Sequence, residues 1–292
     1  MKKFIVFIVC FVILLCIVGG SFYYYINKDK ENKIENKTEE KKPIVDNVKI
    51  VNVNSKTRPY AVSIDNLSSA RPQSGLNKAY IVYEIIVEGD VTRLLALFKD
   101  VDVSKIGPVR SARMNFVDYA LENGAILTHF GGNERAYSDI NKYNLNNIDG
   151  INLSSEFVRD NKRYAPHNVF TSTKKLNNYI VNKYLDTTNK GLLFKYTTLY
   201  NIENEENKKI ANNILINYSD IYNTSYKYDV NSKKYLKFAN NKAHMDSLDN
   251  TQLSVKNIIV LKVGNHNLKG LGSGKGVQEL ENIGKGTRSI YI

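Results

Sequence analysis

Arg58-Pro-Tyr-Ala-Val-Ser-Ile-Asp65-Asn66 opens the region that decides the fold of this chain. Three further motifs follow it: Ala70-Arg71-Pro72-Gln73-Ser74-Gly75, Ile106-Gly107-Pro108-Val109-Arg110-Ser111-Ala112-Arg113 and His129-Phe130-Gly131-Gly132. Arginines, glycines and polar residues follow apolar segments in this region, and loops at strand ends are where functional residues concentrate. Residues 58–132 are therefore the candidate working surface.

The segments around these motifs predict an α+β domain. β-branched and aromatic residues favour strands over residues 60–64, 79–87 and 92–98, with Glu88-Gly89-Asp90 as a turn. Ser111 can cap a helix that runs through Asn123, with Gly124 as its stop, and a short strand follows over residues 125–130. Asn133 opens a second helix to about Tyr143, and apolar spacing predicts a third over residues 173–184.

A second domain follows a break at Thr187-Thr188-Asn189. We place the first domain at residues 48–186 and the second at residues 187–292. Alternating or apolar runs predict strands over residues 192–196, 214–218, 225–230, 235–238 and 257–263, so the second domain is mostly β. The fold class is thus an N-terminal mixed α/β domain followed by a smaller, mostly β domain.

The N-terminus predicts a membrane anchor. Met1-Lys2-Lys3 precedes an uncharged apolar run over residues 4–26, which as a helix could span the ~30 Å hydrocarbon core of a bilayer. We predict a signal-anchor helix over residues 1–26 with the bulk of the chain outside the cell. Gly19-Gly20-Ser21 leaves a cleaved signal as the alternative. Residues 27–47 are rich in Lys, Glu and Asn and predict a solvated tether.

Charge and cysteine content narrow the function. The 292 residues carry a formal net charge of +12, which favours polyanions such as wall polymers, anionic lipids or nucleic acid. Predicted export and the lack of a nucleic-acid-binding motif argue against nucleic acid. Both cysteines, Cys10 and Cys16, lie in the apolar run, so the exported part has no disulfide, thiol nucleophile or Cys-ligated metal.

At the four motifs the chain resembles the YerB-like lipoprotein family of Gram-positive bacteria, a two-domain family of unknown function. The resemblance extends from about Arg58 to Gly276 and implies an envelope location and this architecture, but no activity. Lipidated cysteines of the family follow a small residue, whereas Cys16 follows Leu15, so we expect the helix to be the anchor. Residues 277–292 do not match the strands that the resemblance implies, so we expect an incomplete second domain with an unpaired sheet edge.

An anion site is one hypothesis for the first domain. Two guanidiniums and free backbone N–H groups at a helix start could bind phosphate or carboxylate, and glycines let a ligand approach the backbone. The candidate residues are Arg71, Arg93, Arg110, Ser111, Arg113, Gly131 and Gly132. The alternative is that the arginines pair with Asp65, Glu84, Glu88 or Asp118 and only stabilise the domain.

Catalysis is the second hypothesis. Its candidate residues are His129, His167, His244, Asp246, Asp65 and Glu84. His244 and Asp246 would face one side of a strand, although His244 could simply fix a hairpin. His129 could be satisfied by local backbone. Asp65 and Glu84, on strands predicted to be neighbours, could act as a carboxylate pair. No metal-binding motif is present, so we expect no metal and no cofactor.

The sequence therefore favours a membrane-tethered extracytoplasmic module that binds a wall polymer, an anionic ligand or an envelope protein. A cell-wall hydrolase that uses the His and Asp or Glu candidates is the alternative. A purely structural partner of another envelope protein is a third hypothesis.

Overall fold

The computed structural model describes Asn52, Ser55 and residues 57–183, 191–196, 209–268, 276–284 and 286–292. The predicted signal-anchor, the tether and both cysteines lie outside these residues. Among the helices that are described, none has the length and apolar character needed to cross a membrane.

A five-stranded mixed sheet organises the first half of the described chain. Its strands are β1 (Tyr60–Asp65), β2 (Ile81–Val87), β3 (Val91–Phe98), β4 (Ile126–His129) and β5 (Asn147–Asp149), in the order β2-β3-β1-β4-β5. β3 runs antiparallel to β1 and β2, whereas β4 and β5 run parallel to β1. The carboxyl ends of β1, β4 and β5 therefore meet at one edge, which we call the carboxyl edge.

Apolar residues on both faces of the sheet explain why helices cover it on both sides. The helices are α1 (Met114–Glu122), α2 (Glu134–Lys142) and α3 (Thr173–Lys183). Val62 of β1 shares one core cluster with Leu176 of α3, and the adjacent Ala61 shares the other with Phe116 of α1. Because side chains alternate along a strand, a strand buried at every position, like β1, requires packing on both faces.

Residues 109–112 separate the ends of β1 and β4. The N–H of Arg110 donates to the Ser63 carbonyl at 2.9 Å, and the Phe130 N–H donates to the Arg110 carbonyl at 3.0 Å. The Ala112 N–H donates to the Gly131 carbonyl at 2.8 Å. This inserted segment places the Arg110-Ser111-Ala112-Arg113 motif at the carboxyl edge.

Short elements complete the first half. They are β6 (Val158–Arg159), which pairs with β7 (Val169–Phe170), and 3-10 turns over Ser68–Ala70, Leu76–Lys78 and Gly150–Asn152.

The second half is mostly β. Its strands are β8 (Asn213–Asn217), β9 (Asn223–Asp229), β10 (Lys234–Ala239), β11 (Lys242–Ala243), β12 (Met245–Asp246), β13 (Thr251–Gln252), β14 (Ser254–Val255), β15 (Ile258–Lys262), β16 (Asn265–Leu268), β17 (Val277–Leu280) and β18 (Thr287–Tyr291). One sheet has the order β11-β10-β9-β8, with β14 also paired to β10. Three two-stranded pairs, β12–β13, β15–β18 and β16–β17, accompany it. Residues 49–292 form one compact unit.

Most predicted elements are confirmed within a few residues, and three expectations need correction. Residues 192–196 form no strand. Helix α1 begins at Met114, with Arg113 rather than Ser111 at its N-cap. Residues 277–292, which were expected not to match strands, contain β17 and β18. β17 pairs with β16, and β18 pairs with β15.

Candidate functional site

The carboxyl edge gathers chemically versatile side chains. Asp65, His129 and Asp149 are the last residues of the parallel strands β1, β4 and β5. Ligands of open α/β sheets commonly bind beyond the carboxyl ends of the strands, where neighbouring connections diverge. The inserted segment with Arg110 and Ser111 lies at such a divergence.

Asp65 is the anionic centre of this edge, and its carboxylate is almost fully buried. One oxygen, Oδ2, lies 2.7 Å from Nδ1 of His167 and 3.0 Å from Nε of Arg110. The other oxygen, Oδ1, accepts the backbone N–H of Leu67 at 3.0 Å. One carboxylate oxygen thus serves two cationic or potentially cationic partners.

Arg93, Arg110 and Arg113 form what we call the guanidinium cluster. Arg93 is buried and donates to the Ser111 carbonyl at 2.7 Å, whereas Arg113 Nε donates to Glu88 Oε1 at 2.5 Å. Burial and the positive charges of Arg113 and Arg110 together lower the pKa of Arg93 to about 9, although Asp65 and Glu88 act in the opposite direction. Three positive charges, those of Arg93, Arg110 and Arg113, therefore meet the two negative charges of Asp65 and Glu88.

Arg110 retains unused donors within this cluster. Its Nε contact with Asp65 is an ion pair that lacks hydrogen-bond geometry, and Nε is buried without a hydrogen-bond acceptor among the described residues. Its side chain is 23% exposed. Because a guanidinium carries five N–H donors in a planar fork, Arg110 is equipped to bind an additional oxyanion.

Ser111, Gly131 and Gly132 line the same edge. Ser111 Oγ donates to the Phe130 carbonyl at 3.2 Å. Gly131 has a φ of +74°, which is the left-handed conformation that glycine adopts readily, and its N–H donates to Asp149 Oδ1 at 2.9 Å. A Cβ on Gly132 would lie 3.1 Å from the ring of Tyr137, so this glycine leaves space for that ring.

His129 is fully buried and engaged locally. Its Nδ1 lies 2.8 Å from the Gly131 carbonyl, and its Nε2 lies 3.1 Å from Oδ1 of Asn147. The structure therefore agrees with the interpretation that local groups satisfy His129. The neighbouring Asp149 would have its pKa raised by burial, but hydrogen bonds from Tyr137 and Gly131 lower that pKa instead.

A second polar cluster joins the first sheet to β9 and β10, and its members have matched partners. Glu84 Oε2 accepts from Lys237 Nζ at 2.5 Å, and both side chains are less than 8% exposed. Glu84 Oε1 accepts from Asn66, Thr92, Tyr222 and Thr224. We call these six residues the Glu84 network. Burial alone would raise the pKa of Glu84, but the charge and hydrogen bond of Lys237 lower it to about 2.

His244 and Asp246 do not form the pair that the sequence predicted. His244 Nε2 lies 2.7 Å from Oε1 of Gln73, whereas Asp246 accepts backbone N–H groups of Gly75 at 2.8 Å and Asn77 at 2.9 Å. Both side chains therefore hold the loop that follows β1. Burial, followed by the charge of Lys237, lowers the pKa of His244 to about 3, so His244 is neutral at physiological pH.

Two further expectations need correction. β1 and β2 are not neighbours, because β3 lies between them, and the Glu84 carboxylate is fully engaged, so Asp65 and Glu84 are not a carboxylate pair. Arg71, which was expected at the anion site, does not belong to the guanidinium cluster. It donates to the Asn66 carbonyl at 2.8 Å and lies over the ring of Tyr222.

The predicted arginine–carboxylate pairs are present only in part. Arg110 pairs with Asp65 and Arg113 pairs with Glu88, whereas Glu84 pairs with Lys237 and Asp118 accepts from Asn282. Among the described residues, no group of three or more His, Cys, Asp and Glu side chains could hold a metal ion.

The most informative contact that sequence reasoning missed is the one between Asp65 and His167. The two residues are 102 positions apart, and no local pattern pairs them. Both stood among the candidate residues, and His167 follows Arg163-Tyr164-Ala165-Pro166 in a loop. Lys237, which engages Glu84, carried no signal that would have singled it out. Gln73, which engages His244, lies in the Ala70–Gly75 motif, but nothing in the sequence indicated this contact.

Comparison with known proteins agrees with this architecture. Residues 47–187 match the family described as "Protein of unknown function (DUF3048) N-terminal domain", and residues 214–291 match its C-terminal domain. "Putative lipoprotein YerB" of Bacillus subtilis (strain 168) is 29% identical over 281 residues, which cover 93% of this chain and 82% of the relative. The crystal structure of the YerB protein from Bacillus subtilis superimposes with a TM-score of 0.67 and 25% identity, over 77% of this chain and 74% of that one. The resemblance to YerB is confirmed, and the chain belongs to the DUF3048 family of proteins of unknown function.

Proposed function

We propose that this protein is a membrane-anchored extracytoplasmic binding protein that captures an anionic envelope polymer through the guanidinium cluster. The similarity to a putative lipoprotein supports the location, and the formal net charge of +12 supports attraction to polyanions. Anchoring by an uncleaved helix over residues 1–26, rather than by a lipid, is part of this proposal.

The environment of Arg93 is the observation that carries the proposal. Three guanidiniums gather at the carboxyl edge, and the two carboxylates that counter them most, Asp65 and Glu88, already receive hydrogen bonds. Buried charges are costly unless they are paired. An oxyanion of the ligand would supply the missing negative charge and accept the free donors of Arg110.

The test is co-sedimentation of the full-length protein with purified Gram-positive cell walls, with and without their anionic polymers, at low and high salt. We expect binding only to walls that carry the polymers and release at high salt, because salt screens exposed charges beyond roughly 10 Å at 0.1 M. The double variant Arg110→Gln/Arg113→Gln should lose at least about tenfold in affinity, since each charged hydrogen bond contributes about 1.5–3 kcal/mol.

Arg135→Gln is the matched control, because Arg135 is a half-exposed arginine that pairs with Asp139 on α2. It removes one positive charge outside the guanidinium cluster, whereas the double variant removes two within it, and it should bind nearly as well as the wild type. Equal binding by the double variant and the wild type would overturn the proposal. A loss of binding free energy in Arg135→Gln half as large as in the double variant would show that only net charge matters, and would overturn the assignment to this cluster.

A cell-wall hydrolase is the second candidate function, and the contact between Asp65 and His167 favours it. A histidine whose Nδ1 faces a carboxylate can use Nε2 as a general base. The test is release of soluble fragments from purified walls, with His167→Gln as the inactive variant and His266→Gln as the control. No release by the wild-type protein would exclude this function.

A further inference from the structure

His167 has an unused ring nitrogen beside the guanidinium cluster. Its Nδ1 lies 2.7 Å from Asp65 Oδ2, and a carboxylate can only accept, so Nδ1 carries the proton. Within the described residues, no hydrogen bond engages Nε2, and the side chain is 17% exposed. Nε2 is therefore the atom that gains a proton when the ring becomes charged.

Arg110 and His167 share one counter-charge. Both contact the same oxygen of Asp65, at 3.0 Å and 2.7 Å, so the two groups lie side by side. When His167 is neutral, the single charge of Asp65 offsets that of Arg110. When His167 is an imidazolium, two positive charges face one carboxylate, and the site gains one unit of positive charge.

The other charged groups near this pair already have partners. In the loop of His167, Arg163 donates to the carbonyls of Ala70 and Pro72, and Asp160 pairs with Lys105. On β3, Arg93 adds a further positive charge at the same edge. No described contact brings a second carboxylate to His167, so an additional anion would have to come from a ligand.

We propose that His167 contacts the bound anion as an imidazolium, so that binding of a phosphodiester draws a proton onto the protein. This inference rests on the proposed function and names its ligand class. Arg110 and Nε2–H of His167 would each donate to one of the two non-bridging oxygens of the diester. Since a bound anion favours the charged ring, proton uptake and anion binding are linked.

A phosphodiester is also the informative probe, because it keeps one negative charge near neutral pH. Any proton taken up on binding then belongs to the protein. The experiment is isothermal titration calorimetry of the full-length protein with a synthetic poly(glycerol phosphate) oligomer at pH 7, in three phosphate-free buffers with different ionisation enthalpies. The slope of the observed enthalpy against the buffer ionisation enthalpy gives the number of protons taken up.

We expect the wild-type protein to take up a measurable fraction of a proton per bound diester, because the bound anion favours the charged ring. His167→Gln should reduce the uptake to near zero and weaken binding severalfold. His266→Gln is the matched control: His266 also pairs with a carboxylate, Glu281 at 2.7 Å, but its side chain is 59% exposed. This control should retain both uptake and affinity.

The outcomes separate the two proposals. Binding without proton uptake, or uptake that persists in His167→Gln, would overturn the inference and leave the anion-binding function in place. No binding heat in any buffer would overturn the inference, and no co-sedimentation with polymer-bearing walls would overturn the anion-binding function as well. If His167→Gln does not fold, NMR of the wild-type histidine rings decides the question. At constant pH, the oligomer should move the His167 ring towards the imidazolium spectrum and leave the His266 ring unchanged, and an unchanged His167 ring would overturn the inference.

Discussion

The Glu84 network and the guanidinium cluster both bury charged side chains, but they balance their charges differently. In the Glu84 network, one carboxylate meets one ammonium, and four further groups donate to the remaining carboxylate oxygen. In the guanidinium cluster, three cations gather near two carboxylates, and Arg110 has donors to spare. A cluster whose charges balance is typical of a contact that only stabilises the fold, whereas a cluster with excess charge is typical of a ligand-binding site.

The largest expected effect is on the Glu84 network. Glu84→Gln removes the counter-charge of Lys237, which is 6% exposed, and leaves its ammonium buried with only neutral hydrogen-bond acceptors. Breaking one side of a buried ion pair costs about 3–5 kcal/mol, so we expect the free energy of unfolding to fall by that amount. Urea unfolding at pH 7 measures it.

Glu279→Gln is the control for this change. Glu279 also faces a cation, Arg135 at 3.8 Å, but both side chains are more than a third exposed. Exposed ion pairs contribute at most about 1 kcal/mol, so the control should change the free energy of unfolding by less than that. A Glu84→Gln variant as stable as this control would contradict a structural role for the network.

The second expected effect is a loss of stability in mild acid, and it is caused by His244, which lies near the Glu84 network. His244 has its pKa lowered to about 3, whereas the unfolded chain protonates a histidine near pH ~6.5. Between these values the unfolded state binds more protons, so stability increases with pH and decreases by up to about 1.4 kcal/mol per unit as the pH falls from 6.5. Glu84 contributes its own loss only below pH ~4.5, as the pH falls towards its pKa of about 2.

Urea unfolding at several values between pH 7 and 4.5 measures the loss to which His244 contributes, and a variant identifies its share. His244→Gln should flatten this part of the curve, even if the variant is less stable throughout. His266→Gln should leave the slope unchanged, because His266 is exposed. A slope that survives in His244→Gln would show that another group titrates there.

The same contrast explains what the sequence could predict. Local patterns placed β1, β4 and α2 correctly, because Asn133 caps α2 and the apolar residues of β1 are contiguous in the chain. They also identified Arg110 and Arg113 as residues of one motif at a predicted helix start. Local patterns could not predict contacts between segments that are distant in the sequence. Glu84 contacts Lys237 across 153 positions, and Asp65 contacts His167 across 102.

Periodicity also cannot supply the order of strands in a sheet. Asp65 and Glu84 follow each other on consecutive strands of the chain, which suggested that they were neighbours. The hairpin of β2 and β3 instead places β3 next to β1, because β3 pairs with both strands. Arg93 on β3 therefore lies opposite Asp65, which is how it joins the cluster at the carboxyl edge.

We expect the smallest effect on stability from a substitution of Arg93. This substitution tests most directly the difference between the Glu84 network and the guanidinium cluster. Its lowered pKa means that the folded protein disfavours its charge, and replacing a buried charge with an apolar side chain of similar size is often neutral or stabilising. Arg93→Met should therefore change the free energy of unfolding by less than about 1 kcal/mol, while its affinity for anionic polymer decreases several-fold. Urea unfolding and wall co-sedimentation of the same preparation measure both. If Arg93→Met lowered the free energy of unfolding as much as Glu84→Gln does, the guanidinium cluster would also be a contact that stabilises the fold. Only a charge on which the fold depends reduces the free energy of unfolding that much when it is removed.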